Sequence, residues 1–283
     1  GIPPFRLPKE LVDRDIRNIT ALGVEIRTAA PVGSIASLKD QGFDAAFLAL
    51  GTMEGQGMEA PGQELPGVLE SMELLATGNA GGKMDLSGKR VAVIGGGNVA
   101  IDSARMALRM GAATVAIYYR RSRAEMPAHD FEVRSAIDEG IELHELRTPN
   151  RFLGENGKLV AVEWLSMKLG EPDASGRRRP VPVKGSGVTR PADVAVLAVG
   201  LKPSTRPFAG ELGWNRDGTI QADPETLATS LPDVFAGGDD VTGPSMIIEA
   251  IAQGKRAAFY IDRSLQGLPL SGIAFDARLS SVD

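Results

Sequence analysis

The sequence predicts an α/β fold built around a parallel sheet, and three observations predict it. Two short apolar runs, Ala45–Leu50 and Val194–Val199, each end in glycine (Gly51 and Gly200) and read as buried parallel strands. Residues 90–119 alternate strand, glycine turn, helix and strand in a single βαβ unit. Residues 150–190 then switch to alternating strands and glycine-bearing turns, which predicts an antiparallel appendage. With 283 residues, at roughly 150 per domain, the chain holds about two domains.

The elements follow in order. Residues 9–22 place apolar groups at 11, 12, 16, 19 and 22, a helical stripe that Gly23 stops. Val24–Thr28 reads as a short strand. Residues 54–67 carry six glycines and prolines and form a loop, with a helix over about 68–77 and a second loop over 78–88. Arg90–Ile94 is a buried strand, 98–110 a helix with Val99, Ala100, Ala104, Ala107 and Leu108 on its apolar face, and Thr114–Tyr119 the next strand. A helix at about 128–139 and a strand at 141–146 come next. The last stretch predicts a strand at about 233–236, then Gly237-Gly238-Asp239-Asp240, then a helix at about 245–263.

Composition excludes several chemistries. There is no cysteine, so disulfides, thiolate-held zinc, Fe–S ligation and a thiol nucleophile are excluded within these residues. The two histidines, His129 and His144, cannot make a histidine-rich metal site and read as surface or helix-end residues. The formal net charge of -5, with no basic stripe, argues against nucleic acid. No run reaches the roughly 18 apolar residues of a membrane span, and the first residues lack the apolar core of a signal peptide, so a cytoplasmic protein is expected. No Ser/His/Asp set has supporting spacing, and no catalytic side chain is assigned.

One motif carries chemistry. Gly95-Gly96-Gly97-Asn98-Val99-Ala100 follows a strand and opens a helix, the context that a dinucleotide fingerprint requires. Gly95 permits the tight turn, Gly97 lets backbone approach a pyrophosphate, and the small Ala100 lets helix and strand pack closely. The helix start offers free N–H groups and the positive end of its dipole to phosphates. NAD sites usually place an acid at the end of the second strand. Here that strand ends Tyr119-Arg120-Arg121-Ser122-Arg123, and guanidinium groups suit the 2′-phosphate of NADP(H). Gly185-x-Gly187 opens no helix and reads as a turn. Arg177-Arg178-Arg179 reads as a solvated hairpin tip. Gly238 and Asp239 form a strand–glycine–carboxylate–helix junction, read on physics alone as a helix cap or a hydroxyl-binding carboxylate.

Taken together, LALGT, GGGNVA, YYRRSRAEMPA, VLAVGLKP and DVFAGGDDVTGPSMIIEAIAQGKRAA, in that order, resemble the flavin-dependent pyridine-nucleotide oxidoreductases typified by the small subunit of NADPH-dependent glutamate synthase. GIPPFRLPKELVDRDI and APGQELPGV resemble the same group, so the likeness runs from Gly1 to about Gln266. It implies a Rossmann-like NAD(P)-binding domain inserted in a partial FAD-binding domain of the flavoprotein type with two dinucleotide-binding domains. It matches Gly95, Gly97 and Ala100 to the nicotinamide nucleotide, and Arg120 and Arg121 to its 2′-phosphate. Asp239, after Gly238, matches the carboxylate on the flavin ribityl chain, and Ser245 and Met246 the helix start facing the flavin ring. Gly51 and Gly200 close the two crossover strands.

The resemblance implies three segments: 1–69 and 201–283 as parts of the FAD domain, packed together, and 70–200 as the NADP(H) domain. The family's first FAD-binding glycine unit and its Fe–S region have no counterpart in these residues. FAD, the rest of its site and the Fe–S centres are therefore expected from a partner subunit or an upstream region. The implied function is hydride transfer from NADPH to FAD. The alternatives are a ferredoxin–NADP reductase-like module and a non-catalytic NADP-binding subunit without FAD.

Overall fold

The structure, a computed structural model, describes residues 1–82, 84–173, 176–204, 208 and 210–276. In chain order its elements are α1 (Lys9–Thr20), α2 (Ile35–Asp40), β1 (Ala46–Leu48), β2 (Glu54–Gly55), β3 (Val68–Glu70), α3 (Ser71–Asn79), β4 (Arg90–Ile94), α4 (Asn98–Arg109), β5 (Thr114–Tyr119), a 3₁₀ turn (Arg123–Glu125), α5 (Asp130–Asp138) and β6 (Glu142–Glu145). β7 (Arg147–Glu155), β8 (Lys158–Pro172), β9 (Arg178–Pro182), β10 (Val188–Pro191), β11 (Val194–Leu197), β12 (Leu201–Lys202), β13 (Val234–Ala236), α6 (Asp239–Thr242) and α7 (Ile247–Leu265) follow.

The chain divides into two compact units. The first holds 1–25 and 55–200, the second 26–54 and 201–283. In the first, five parallel strands run in the order β3-β11-β4-β5-β6. Side chains alternate across β4. Val91 and Val93 face a cluster with Leu74, Ile101, Ala104 and Val133 from the helices, whereas Ala92 and Ile94 join Phe152, Val162 and Trp164 of the antiparallel strands. The parallel sheet is thus covered on both faces, as such sheets require. The expected appendage is present: β7, β9 and β10 each pair antiparallel with the long β8.

The unit boundary corrects the expected 1–69 segment. Arg6 reaches from the chain start to Asp102 Oδ2 (2.9 Å) and Glu132 Oε1 (3.1 Å), on α4 and α5. Phe5 lies under the guanidinium groups of Arg105 and Arg109, at 4.5 and 4.2 Å. β3 pairs with β11, so 55–69 also belongs to the first unit. β3 also replaces the start of the helix expected from 68, which begins at Ser71 instead. Val24–Thr28 forms no strand: its residues are exposed and pair with nothing in a sheet. The helix expected over 245–263 is α7, shifted by two residues, and the Asp239–Thr242 stretch ahead of it forms an additional short helix, α6, parted from α7 by Gly243 at φ 77° and Pro244.

The second unit holds a parallel pair, β1 with β13, in register Ala46↔Val234 to Leu48↔Ala236. Ile35, Leu48, Phe208, Leu212, Ile220 and Val234 form its core.

Candidate functional site

The turn after β4 is built by packing. Gly95 has φ 153°, and a Cβ there would strike the Ala198 carbonyl. A Cβ on Gly96 would strike the Tyr119 ring. Gly97 differs: its φ is −92°, and a Cβ would meet only Pro127 Cγ, at 3.7 Å. The fold therefore demands glycine at 95 and 96, while at 97 the space beside the backbone stays open for a ligand. Ala100 is fully buried, and a larger residue would push helix from strand.

The amides bear this out. Gly95 N–H donates to Tyr118 O (3.1 Å), and Ala100 and Ile101 N–H donate to Gly97 O. The amides of Gly96, Gly97, Asn98 and Val99 have no acceptor among the described residues, and they sit at the start of a 12-residue helix whose dipole adds to them. Asn98 Oδ1 accepts from His129 N–H at 3.3 Å, tying the helix start to the loop after β5.

The arginines at the end of β5 divide. Arg120 is exposed and pairs with no described residue. Arg121 is buried; its Nε donates to Arg178 O at 2.8 Å and its Nη2 to Asp173 Oδ2 at 2.6 Å. The two side chains expected to share one phosphate thus have different surroundings, because β8 and β9 fold over the second. Arg178 and Arg179 are exposed, as expected of a solvated run, but Arg178 also pairs with Glu125 (Nη2 to Oε1, 2.6 Å). The bond from the Ser122 hydroxyl, with help from Arg178, holds the Glu125 carboxyl below its ordinary range. His144 also departs from expectation. It stacks on Tyr118 (4.7 Å between centroids), which stacks in turn on Trp164 (3.6 Å). His129 stands at the exposed N-cap position of α5, as a helix-end residue, with no side-chain capping bond.

The crossover glycines each lie in the left-handed half of φ, Gly51 at 65° and Gly200 at 139°. On the first unit, Gln56 N–H donates to Gly200 O (3.0 Å), so the two passages of the chain leave that unit side by side.

In the second unit the Gly-Gly-Asp junction is largely satisfied from within. Gly238, at φ 88°, donates its N–H to Gln253 Oε1 (2.7 Å). Asp239 Oδ1 accepts from both N–H and Oγ of Ser245 (3.0 and 2.9 Å), and Oδ2 from Thr52 Oγ1 (3.3 Å). Ser245 and Met246 are exposed at the start of α7. Asp240 next to them was given no role by the sequence. It is fully buried, its Oδ2 accepts from Leu50 N–H (2.9 Å), and its Oδ1 has no partner. Burial pushes its carboxyl up to about 6. Leu50, Thr52 and Gln253 hold this junction through contacts long in sequence, which no local pattern signals.

A five-stranded parallel sheet with an open glycine turn and unused helix-start amides defines a nucleotide-binding unit of the Rossmann type. The pyridine nucleotide-disulphide oxidoreductase family model matches residues 11–254, and the chain belongs to that family. It is 45% identical over 270 residues to the NADP(+)-dependent formate dehydrogenase subunit beta of Moorella thermoacetica, covering 94% of this chain and 38% of that protein. It is 39% identical over 273 residues to a putative glutamate synthase [NADPH] small chain of Cereibacter sphaeroides, covering 91% and 65%. The chain thus spans well under half to about two thirds of these curated relatives. Among solved structures, a point mutant of FprA from Mycobacterium tuberculosis shares the fold with a TM-score of 0.76 at 19% identity, covering 94% of this chain and 74% of that one. No described helix is long and apolar enough to cross a membrane, and no described group of acidic and histidine side chains suits a metal.

Proposed function

We propose that this chain binds NADP(H) at the 95–100 turn and belongs to an NADPH-dependent flavin oxidoreductase of the glutamate synthase small-chain kind. The observation that carries the reading is the row of unused amides over Gly96–Val99 beside the open flank of Gly97. Those amides hold the pyrophosphate, and Arg120 faces the 2′-phosphate with a charge-assisted bond. Arg121, bonded to Asp173, backs the loop that presents Arg120.

The second unit suits part of a flavin. Asp239 keeps lone pairs for a ribityl hydroxyl; the Ser245 and Met246 amides are taken by Asp239 and Glu249, so the amides that can meet a ring carbonyl at the start of α7 are those of Ile247 and Ile248. Among the described residues, 95–100 alone joins the strand–glycine–helix form to a row of open amides that can cradle a pyrophosphate. The FAD pyrophosphate therefore needs a further segment or a partner subunit, which also supplies the Fe–S centres that pass electrons on. When bound, the nicotinamide supplies a hydride and the flavin ring accepts it. This chain's residues contribute binding and alignment rather than an acid or base.

Two measurements test the reading. Arg120→Ala should weaken NADPH by about tenfold to a hundredfold and leave NADH nearly unchanged, the loss of a charge-assisted bond being worth ~1.5–3 kcal/mol. Equal weakening of both defeats the NADP(H) assignment. Protein purified with its natural partner should absorb at about 450 nm and bleach on NADPH. A colourless complex that still binds NADPH favours the reading without flavin, which the internally satisfied Asp239 supports.

A further inference from the structure

We propose that the β8–β9 hairpin selects between NADPH and NADH: Arg178 neutralises Glu125 beside the 2′-phosphate position, and Asp173 holds Arg121 so that Arg120 alone is presented. The proposal rests on the NADP(H) reading and adds to it a second set of residues, from an appendage that lies outside the nucleotide fingerprint.

The geometry is a crossed clamp. The loop after β5 carries one cation and one anion toward the hairpin, and the hairpin answers each with the opposite charge. Arg121 of the loop meets Asp173 at 2.6 Å, and Glu125 of the loop meets Arg178 at 2.6 Å, with Arg178 Nε also donating to Glu125 Oε1 at 2.7 Å. Arg178 O accepts from Arg121 Nε, so one hairpin residue holds both ends of the loop. Within the loop, the Glu125 carboxylate accepts from the Ser122 N–H and hydroxyl, and Glu125 O accepts from the Tyr119 hydroxyl (2.8 Å). These bonds are made without any nucleotide, and such pre-organisation lowers the ordering cost of binding.

Electrostatics gives the clamp its selectivity. Glu125 lies five residues after Arg120, in the loop that on the NADP(H) reading receives a doubly charged phosphate. Left alone, its carboxylate repels that phosphate and accepts from a ribose hydroxyl, the preference of an NAD site. Its ordinary titration is pushed down, so it is ionised at neutral pH, and Arg178 supplies the compensating charge. Removing Arg178 therefore penalises NADPH and spares NADH. A purely structural support would weaken both alike.

The test is calorimetric titration of the full chain with NADPH and with NADH. The reference variant is Arg120→Ala, and the probes are Arg178→Gln, Arg178→Lys, Asp173→Asn and the double variant Arg178→Gln with Glu125→Gln. Arg178→Gln should lower the NADPH/NADH affinity ratio by about fivefold, the scale of a partly exposed ion pair. Arg178→Lys should restore most of the ratio, and the double variant should restore it by removing the uncompensated carboxylate. Asp173→Asn should lower the ratio less than Arg178→Gln. If Arg120→Ala lowers the ratio while Arg178→Gln leaves it unchanged, or weakens both nucleotides equally, the hairpin has no selective role. If Arg120→Ala itself leaves the ratio unchanged, the NADP(H) reading fails and takes this proposal with it.

Discussion

The two units contain the same local construction, a short buried parallel strand followed by glycines and a helix start, and they finish it differently. After β4, the amides from Gly96 to Val99 are left open. After β13, the Gly238 amide is taken by Gln253 and the Asp239 carboxylate by Ser245 and Thr52. The first junction is ready for a ligand on its own, and the second is held by its own side chains. A glycine signature therefore fixes backbone geometry, while long-range partners decide whether the resulting donors are free.

The sharpest break of this contrast comes from Arg6. It is the compensating cation for Asp102, whose Oδ1 is buried without a partner and whose carboxyl burial pushes up even so. Arg6→Ala should cost the first unit about 3 kcal/mol, because the buried carboxylate loses its bonded cation and keeps only the field of Arg105. Chemical denaturation should show that loss, and an unchanged midpoint would mean that the 1–25 segment is not part of the first unit. A smaller effect separates neighbouring glycines. Gly96→Ala should lower thermal stability by ~1–3 kcal/mol through overpacking against Tyr119. Gly97→Ala should leave stability intact yet weaken NADPH by about tenfold, since its Cβ enters only ligand space. Loss of stability at Gly97 would show that its flank is not open.

The smallest effect is one of sign. Asp240 in the second unit has its carboxyl raised to about 6, so its burial opposes folding above that pH and the penalty lifts as pH falls from about 6 toward its ordinary 3.8. Glu139 in the first unit is held down to about 2 by Arg109 and Arg105. Its contribution is full above its ordinary 4.5 and is lost as pH falls toward 2. Mild acidification from neutral to about 5 should therefore stabilise the second unit, and Asp240→Asn should abolish that gain in a thermal melt followed against pH. A wild-type melt flat across that range would remove the contrast.

What the sequence made legible was local. Strand, glycine turn and helix over 90–110 sit within one short stretch, and the apolar runs ending at Gly51 and Gly200 announce burial by composition alone. The parts that escaped depend on partners far along the chain. Arg6 meets Asp102 across 96 positions, and Arg121 meets Asp173 across 52, so neither the unit boundary nor the hairpin's docking leaves a periodic trace. Val24 and Ile26 mimic a strand in type and spacing but find no neighbouring strand to pair with. Asp240 looks like any polar residue after a glycine pair, and only the packed core around it makes its carboxyl costly to ionise.

The chain has two tryptophans, and they fall in different units. Trp164 is 2% exposed and lies flat on Tyr118, with His144 on the far side of the same column, whereas Trp214 borders the core of the second unit and is only half-buried. The molecule thus carries two built-in optical probes with unlike surroundings, a blue-shifted one for the nucleotide-binding unit and a redder one for its companion. Replacing either indole by phenylalanine turns the intrinsic emission into a report on the melting of one unit at a time.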